Sequence, residues 1–463
     1  MSEPLQPAKY SPANEIAALM PDIGDIVEAA DFPRTILRFR NDRWADAVGL
    51  GALTDDEWIG HFARFHPLPD SLPNPLALRY HGHQFRVYNP QIGDGRGFLF
   101  AQLRDGAGRL LDLGTKGSGQ TPYSRFGDGR LTLKGGVREI LATEMLEALG
   151  VNTSKSFSLI ETGEALQRND EPSPTRSAVL VRLSHSHVRI GTFQRAAYFD
   201  DKALLERLTD YALTKLYGET PGDNPPMQLL GRVIERTADL AASYMIAGFV
   251  HGVLNSDNIN VTGESFDYGP WRFAPRWDHF FTAAYFDENG LYAFGRQAEA
   301  IHWDAAQLAV SLRPLVESAP LIEQMERFPA LYGEAIARRF CWRLGVRATG
   351  DAPALLETAV RAMVETGTDI DRFFHDWRGG TARKPERYAD ESWASFREAV
   401  CSFDASGDSH AYWSDEAPCS MHIDEVEAIW SAIDRDDDWQ PLYDKVTAIR
   451  RMGAAHGAAP ELP

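Results

Sequence analysis

Cysteine is scarce in this chain. The three present, Cys341, Cys401 and Cys419, form no CxxC pair and no zinc-binding spacing. That excludes a disulfide-stapled framework and fits a reducing compartment. Long apolar runs are missing too. The most hydrophobic stretch, Leu240 to Leu254, is short and carries Ser243 and His251, so it reads as a buried helix rather than a membrane span. The N-terminus has neither a basic segment followed by an apolar one nor an Arg-rich, acid-poor bias, which points to a cytoplasmic protein. Positive charge is also in deficit: 47 Lys and Arg face 66 Asp and Glu, a formal net charge of -19. That balance makes the chain a poor candidate for sequence-independent nucleic-acid binding, and a triphosphate would need a local cluster of Lys and Arg. There is no internal repeat and no low-complexity tract.

What is present is a globular composition. The chain has 463 residues, 44% hydrophobic and 11% aromatic, enough for two or three domains with a large core. Residues 1–75 mix short helical patterns with Pro-rich breaks and read as an extension packed on the main body. From 76 to 183 the pattern is mostly strand. Gly97 to Asp105 and Arg109 to Lys116 flank Gly106-Ala-Gly108, a hairpin signal. Gly93-Asp-Gly-Arg-Gly97 precedes the first strand, and Lys116 closes the second. A Gly-rich loop follows, then a helical stretch from Val137 to Gly150, then strands at 156–162 and 177–184. From 184 to 370 the pattern is helical, with Ala203 to Tyr217 and Pro226 to Val250 as clear cases. Residues 371–463 are charged and Trp-bearing, with amphipathic stretches at 393–403 and 423–433, a C-terminal helical extension.

The chemistry concentrates in His251-Gly-Val-Leu-Asn-Ser-Asp-Asn258, followed by Asp267-Tyr-Gly269. Kinase-like enzymes use His-x-Asp-x-x-x-x-Asn and then Asp-Phe-Gly, where the first Asp takes the substrate proton and the Asn and second Asp hold Mg²⁺. Here His251 and Asn258 keep that spacing, but the base position is Val253, which accepts no proton. An Asp stands instead at 257. Asn258 and Asp267 offer the hard oxygen ligands Mg²⁺ prefers. Lys116, at the end of a strand, suits phosphate contact and is oriented in kinases by a helix Glu; Glu139 fits, with Glu144 and Glu147 as competitors. Gly93, Gly95 and Gly97 allow backbone N–H groups close to phosphate, and Gly127-Asp-Gly-Arg130 repeats that chemistry, although either could be a plain turn. Arg182 and Arg189 suit bidentate phosphate contacts. Between them His185 and His187 have no carboxylate at metal spacing and read as structural. Order and spacing together predict an α+β, bilobal protein-kinase-like fold with N- and C-terminal extensions.

Long collinear stretches, YHGHQF (Tyr80 to Phe85), GDGRG, LDLGTKGSGQTPYSRFGDGRLTLKGGVREIL, VRLSHSHVRIGTF and FVHGVLNSDNI with DYGP, closely resemble the selenoprotein O family of protein adenylyltransferases over roughly residues 75–300. The resemblance implies a kinase-like fold that binds ATP in a flipped orientation and transfers AMP, or UMP from UTP, to Ser, Thr or Tyr hydroxyls of proteins, with Mg²⁺ or Mn²⁺. It implies an ion pair of Lys116 with Glu139. It implies nucleotide contacts from Gly93, Gly95, Arg96, Lys116, Asp128, Gly129, Arg182, Arg189 and Asp267. Asp257 would be the proton acceptor, and Asn258 and Asp267 the metal ligands. Two departures stand out: the tail lacks the cysteine or selenocysteine some members carry, and the region after about residue 300 matches poorly. The competing readings are a γ-phosphoryl transferase, which Val253 opposes, and an inactive nucleotide-binding scaffold, which intact Lys116, Asp257, Asn258 and Asp267 oppose.

Overall fold

The structure, a computed structural model, describes residues 7–169, 171–407 and 409–460. Its first half is built on strands β1 (Pro12–Ala13), β2 (Gly24–Ile26), β3 (Ile36–Arg40), β4 (Leu76–Leu78), β5 (Gly82–Gln84), β6 (Val87–Asn89), β7 (Leu99–Arg104), β8 (Leu110–Lys116), β9 (Leu131–Thr132), β10 (Lys155–Leu166) and β11 (Thr175–Ser184). Helices α1 (Asp42–Ala47), α2 (Asp55–Phe62) and α3 (Leu133–Ala148) pack among them. Nine of the strands form one sheet of antiparallel pairs in the order β2-β4-β7-β8-β11-β10-β3, with β1 joined to β7 and β9 to β11. The strands β5 and β6 form a separate hairpin.

Both faces of this sheet are covered, and the alternation of side chains decides what each face meets. Along β8 and β11, Leu111, Leu113, Val179 and Val181 turn to a cluster holding Trp58, Phe62 and Phe157. Leu110, Ala178 and Leu180 turn to the opposite cluster, with Ile140, Leu141 and Met145 of α3. Each fully buried Leu, Val or Phe contributes about 1.5–3 kcal/mol, so the sheet's centre is rigid. The helix α3 starts four residues before the expected Val137 because the Thr132 side chain caps the Gly135 N–H. The expected hairpin between β7 and β8 closes through Asp105, whose backbone N–H donates to the Arg109 carbonyl.

The N-terminal segment packs on the sheet by pairing with it: β2 lies at one end, β3 at the other, and β1 flanks β7.

The second half is helical: α4 (Ile190–Tyr198), α5 (Lys202–Tyr211), α6 (Pro225–Ala247), α7 (Gln297–Ser311), α8 (Ser318–Met325), α9 (Phe328–Leu344), α10 (Ala352–Thr366), α11 (Ile370–Asp376), α12 (Ala394–Val400), α13 (Ile423–Asp436) and α14 (Gln440–His456). A minimal ribbon, β12 (Phe249–Val250) with β13 (Arg272–Phe273), brackets the 251–271 loop. The central helix α6 is capped by Asn224 and stopped by Gly248 at φ 71°. That stop delivers the chain into the His251 loop. The last helix, α14, returns to the sheet half and packs on α3, where Arg450 pairs with Glu144 at 2.6 Å. Among the described residues no helix is long and apolar enough to cross a membrane.

Candidate active site

A cleft of about 600 Å³ opens between the sheet and the 251–271 loop. Its walls come from six separate stretches of sequence: the segment ending in Gly93-Asp-Gly-Arg-Gly97, the end of β8, the loop 123–130, Gln167 and Arg168 after β10, strand β11 with the start of α4, and the 251–271 loop. Seven basic side chains (Arg96, Lys116, Arg125, Arg130, Arg168, Arg182 and Arg189) line it against four acidic ones (Asp94, Asp128, Asp257 and Asp267). This is the local positive cluster that an acidic protein needs in order to hold a polyphosphate.

The two Gly-rich loops are not independent turns. Both line the cleft, and the Ser124 hydroxyl ties them by donating to the Gly95 carbonyl at 2.6 Å. Gly129 has φ 70°, and a Cβ there would lie 2.3 Å from the Gly119 backbone, so no other residue fits. Asp128, by contrast, is taken up by Arg168 at 2.8 Å on the rim.

Lys116 is buried and paired with Glu139, itself 1% exposed on α3. The rival carboxylates are engaged elsewhere: Glu144 with Arg450, and Glu147 with Arg43 and Lys155. The Lys116 ammonium also reaches Asp267 at 2.7 Å, and Arg182 approaches the same carboxylate at 3.5 Å. Burial would raise the Asp267 pKa, but Lys116, Arg182 and Arg96 outweigh it and hold the group well below the usual carboxylate range. Asp267 sits in the left-handed region at φ 64°, which places its side chain in the cleft; Asp tolerates that conformation better than most residues.

His251 is buried and neutral, since burial depresses its pKa. Its Nε2 donates to the Phe266 carbonyl at 3.0 Å, and its backbone N–H is received by Gln297 Oε1 at 3.0 Å. It therefore acts as a latch between the two motif segments. Asn258 donates its amide to the Val253 carbonyl at 3.0 Å, which leaves Oδ1 as the atom it could offer a cation. Unlike the other expected site residues on that loop, Asn258 does not line the cleft.

Asp257 is 7% exposed, and among the described residues its Oδ1 has no hydrogen-bond partner although it is shut off from solvent. Burial pushes its pKa up to about 7, against the pull of Arg189 and with help from Asp267. Such a carboxyl exchanges protons near neutral pH. Arg189 is buried, donates to the Asp257 backbone carbonyl at 3.0 Å and lies over the rings of Tyr80 at 4.2 Å and Phe266 at 4.8 Å.

Sequence reasoning missed several neighbours. Asp94 pairs with Arg189 at 3.4 Å, and Tyr80 supports the same guanidinium. Gly82 is the contact on which Asp257 leans: a Cβ there would meet the Asp257 carboxylate at 2.8 Å. All lie within or beside YHGHQF and GDGRG, so motif membership was the available signal. His185 and His187 stand outside the cleft; His187 pairs with Asp112 at 3.3 Å, a structural role.

Comparison with known proteins supplies the remaining finding. The family model described as protein adenylyltransferase SelO matches residues 4–450. A protein of Gloeobacter violaceus named protein nucleotidyltransferase YdiU is 43% identical, over 97% of this chain and 96% of that protein. One of the same name from Synechocystis is 41% identical, over 97% of this chain and 99% of its own length. A third, from Pseudomonas putida, is 38% identical over 65% of this chain. The likeness therefore does not fade after residue 300, as expected from the motifs, but runs through the C-terminal helices to residue 450.

Proposed function

The chain belongs to the SelO family of protein adenylyltransferases, and from that premise we propose that it transfers AMP from ATP to a Ser, Thr or Tyr hydroxyl of another protein. ATP would lie flipped relative to a kinase nucleotide, between two lobes of a kinase-like body. The lobes would be the strand-rich half, residues 76–183, and the helical half, residues 184–370. The stretches 1–75 and 371–463 would serve as their N- and C-terminal elaborations.

The observation that carries the reading is the unpartnered, buried Asp257 Oδ1 in the cleft, which Val253, a residue that cannot take a proton, does not line. In the proposed step a substrate hydroxyl oxygen attacks the α-phosphorus. Its proton passes to Asp257, the bond from the α-phosphorus to the bridging oxygen breaks, and pyrophosphate leaves. Lys116, held by Glu139, and Arg182 and Arg189 bind and orient the phosphates. The backbone of Gly93, Gly95 and Gly129, with Arg96 and Asp128 on the rim, shapes the place where the nucleotide lies.

The donor chemistry suits a hard cation: Asp267 is kept ionised by its basic neighbours and has Oδ2 to give, and Asn258, which would have to turn toward the cleft, has Oδ1. Mg²⁺ or Mn²⁺ bound there would offset charge developing on the phosphates.

Incubation with ATP labelled at the α or the γ position tests the assignment. Protein-bound α-label without γ-label is expected. Protein-bound γ-label would instead establish the phosphotransferase reading, and neither label a binding scaffold. Labelled UTP in the same assay decides between AMP and UMP donors.

A further inference from the structure

Far from the cleft, Asp369, Asp371 and His422 bring three potential ligand atoms within 4.8 Å of one another. Asp369 caps the short helix α11, and Asp371 lies in its first turn. His422 is the residue before α13, fifty residues on in sequence. The three side chains thus join the end of the helical half to the C-terminal helix pair.

The orientation of each group singles out one free atom. The Asp369 Oδ1 accepts the Arg372 backbone N–H at 2.9 Å, and its Oδ2 faces His422 Nε2 at 3.7 Å. The Asp371 Oδ1 accepts from Arg343 at 2.5 Å, and its Oδ2 also faces His422 Nε2 at 3.7 Å. The His422 Nε2 is sealed from solvent and has no hydrogen-bond partner among the described residues. A histidine serving only as a proton donor would close on one carboxylate to about 2.7–2.9 Å. Two ligands of one tetrahedral ion, with bonds of about 2.0–2.2 Å, stand about 3.3–3.6 Å apart. The observed 3.7 Å separations are far too long for the first arrangement and lie just beyond the outer edge of the second, within reach of a small closure of the side chains. Arg343 and the Arg372 N–H play the part of outer groups that orient ligand carboxylates.

We propose that Asp369, Asp371 and His422 bind one first-row divalent transition cation, which fastens α11 to the start of α13. One imidazole and two carboxylates favour ions such as Zn²⁺, Co²⁺ or Mn²⁺ over Mg²⁺, which takes oxygen ligands and dehydrates reluctantly. Asp371 is buried while Asp369 and His422 are partly exposed, so water could reach the rim of the site and complete the coordination. Its position gives it a structural consequence: α13 leads into α14, and α14 braces α3, the helix that carries Glu139.

The test uses the full chain, stripped with chelator and then held in excess Mg²⁺ so that oxygen-only sites stay filled. Zn²⁺ binding is measured by equilibrium dialysis, and Co²⁺ binding by its visible absorption. Wild type is expected to bind one more Zn²⁺ equivalent than His422→Ala. Its Co²⁺ band should persist in Asp267→Asn and vanish in His422→Ala. Asp369→Asn keeps the helix cap, because Asn caps as well as Asp, and should still weaken Zn²⁺ at least tenfold. Equal Zn²⁺ binding by wild type, His422→Ala and Asp369→Asn overturns the proposal, as does a wild type that takes up no Zn²⁺ under excess Mg²⁺.

Discussion

Replacing Asp257 by Asn should weaken the enzyme and strengthen the fold at once. The carboxyl is buried with an unpartnered Oδ1, and its pKa is raised from 3.8 to about 7. The native protein therefore holds this proton across a window in which the unfolded chain has released it. Stability must fall as pH rises from about 4 to about 7. Just over three pH units at 1.36 kcal/mol each put the cost of the ionised form at about 4 kcal/mol above pH 7. Asn carries no such cost, although its own unpartnered amide loses roughly 1–3 kcal/mol. That second penalty does not change with pH, so comparing two pH values removes it. In metal- and nucleotide-free protein, the stability difference between Asp257→Asn and wild type should shift in favour of the variant by about 2–3 kcal/mol from pH 5 to pH 8. Urea unfolding at the two pH values measures it. Transfer of α-label should meanwhile fall by about two to four orders of magnitude, the usual contribution of a general base. A stability difference that ignores pH would show that Asp257 is not a strained carboxyl, and near-normal transfer by the variant would remove it from the chemistry.

Two further substitutions probe the groups behind the cleft. Glu139→Gln leaves the buried Lys116 with only Asp267 as an acidic partner, so it should lower stability by about 1–3 kcal/mol and also slow transfer; urea midpoints and α-label rates read the two effects. Arg450→Ala strands the buried Glu144 and should loosen α14 from α3, seen as faster proteolysis near the C-terminus, with nucleotide affinity in binding titrations unchanged because neither residue touches the cleft.

Local chemistry was readable from the chain wherever the signal spans a few residues. The strand ending at Lys116, the Gly-bearing turn at 106–108 and the helix entering His251 follow from period and punctuation alone. So does the contrast of Val253 with Asp257, which is a matter of spacing. Strands β1 and β2 are two and three residues long, too short to show any period, and only pairing with β7 and β4 makes them strands. For the same reason the pairing of residues 1–75 with the sheet leaves no mark in their sequence. The bracing of α3 by α14 joins residues three hundred positions apart and leaves no mark in either helix's pattern. Arg168 was invisible as a cleft residue because only folding brings it to Asp128. Glu139 could not be chosen over Glu144 and Glu147 until their partners were in view.

The two aspartates of the cleft differ in their surroundings, and that difference supports the proposal of a base at 257 rather than 253. Asp267 lies among Lys116, Arg182 and Arg96, which keep it ionised even though burial opposes the charge. Among the described residues the cation that acts on Asp257 is Arg189, whose Nη1 is spent on the Asp257 backbone carbonyl rather than on its carboxylate. Gly82 presses against that carboxylate from the other side, where any larger residue would clash. One carboxyl is therefore fixed as an anion suited to a cation and the other is poised to take up a proton, the separation of roles expected when environments drive two like groups apart. At position 253 the backbone is committed to the Asn258 amide through its carbonyl and to His251 through its N–H. An Asp introduced there would enter without the burial and the Gly82 contact that tune Asp257. Val253→Asp should consequently fail to restore α-label transfer in an Asp257→Ala background, and recovery of even a tenth of wild-type transfer by the double variant would show that position, not environment, makes the base.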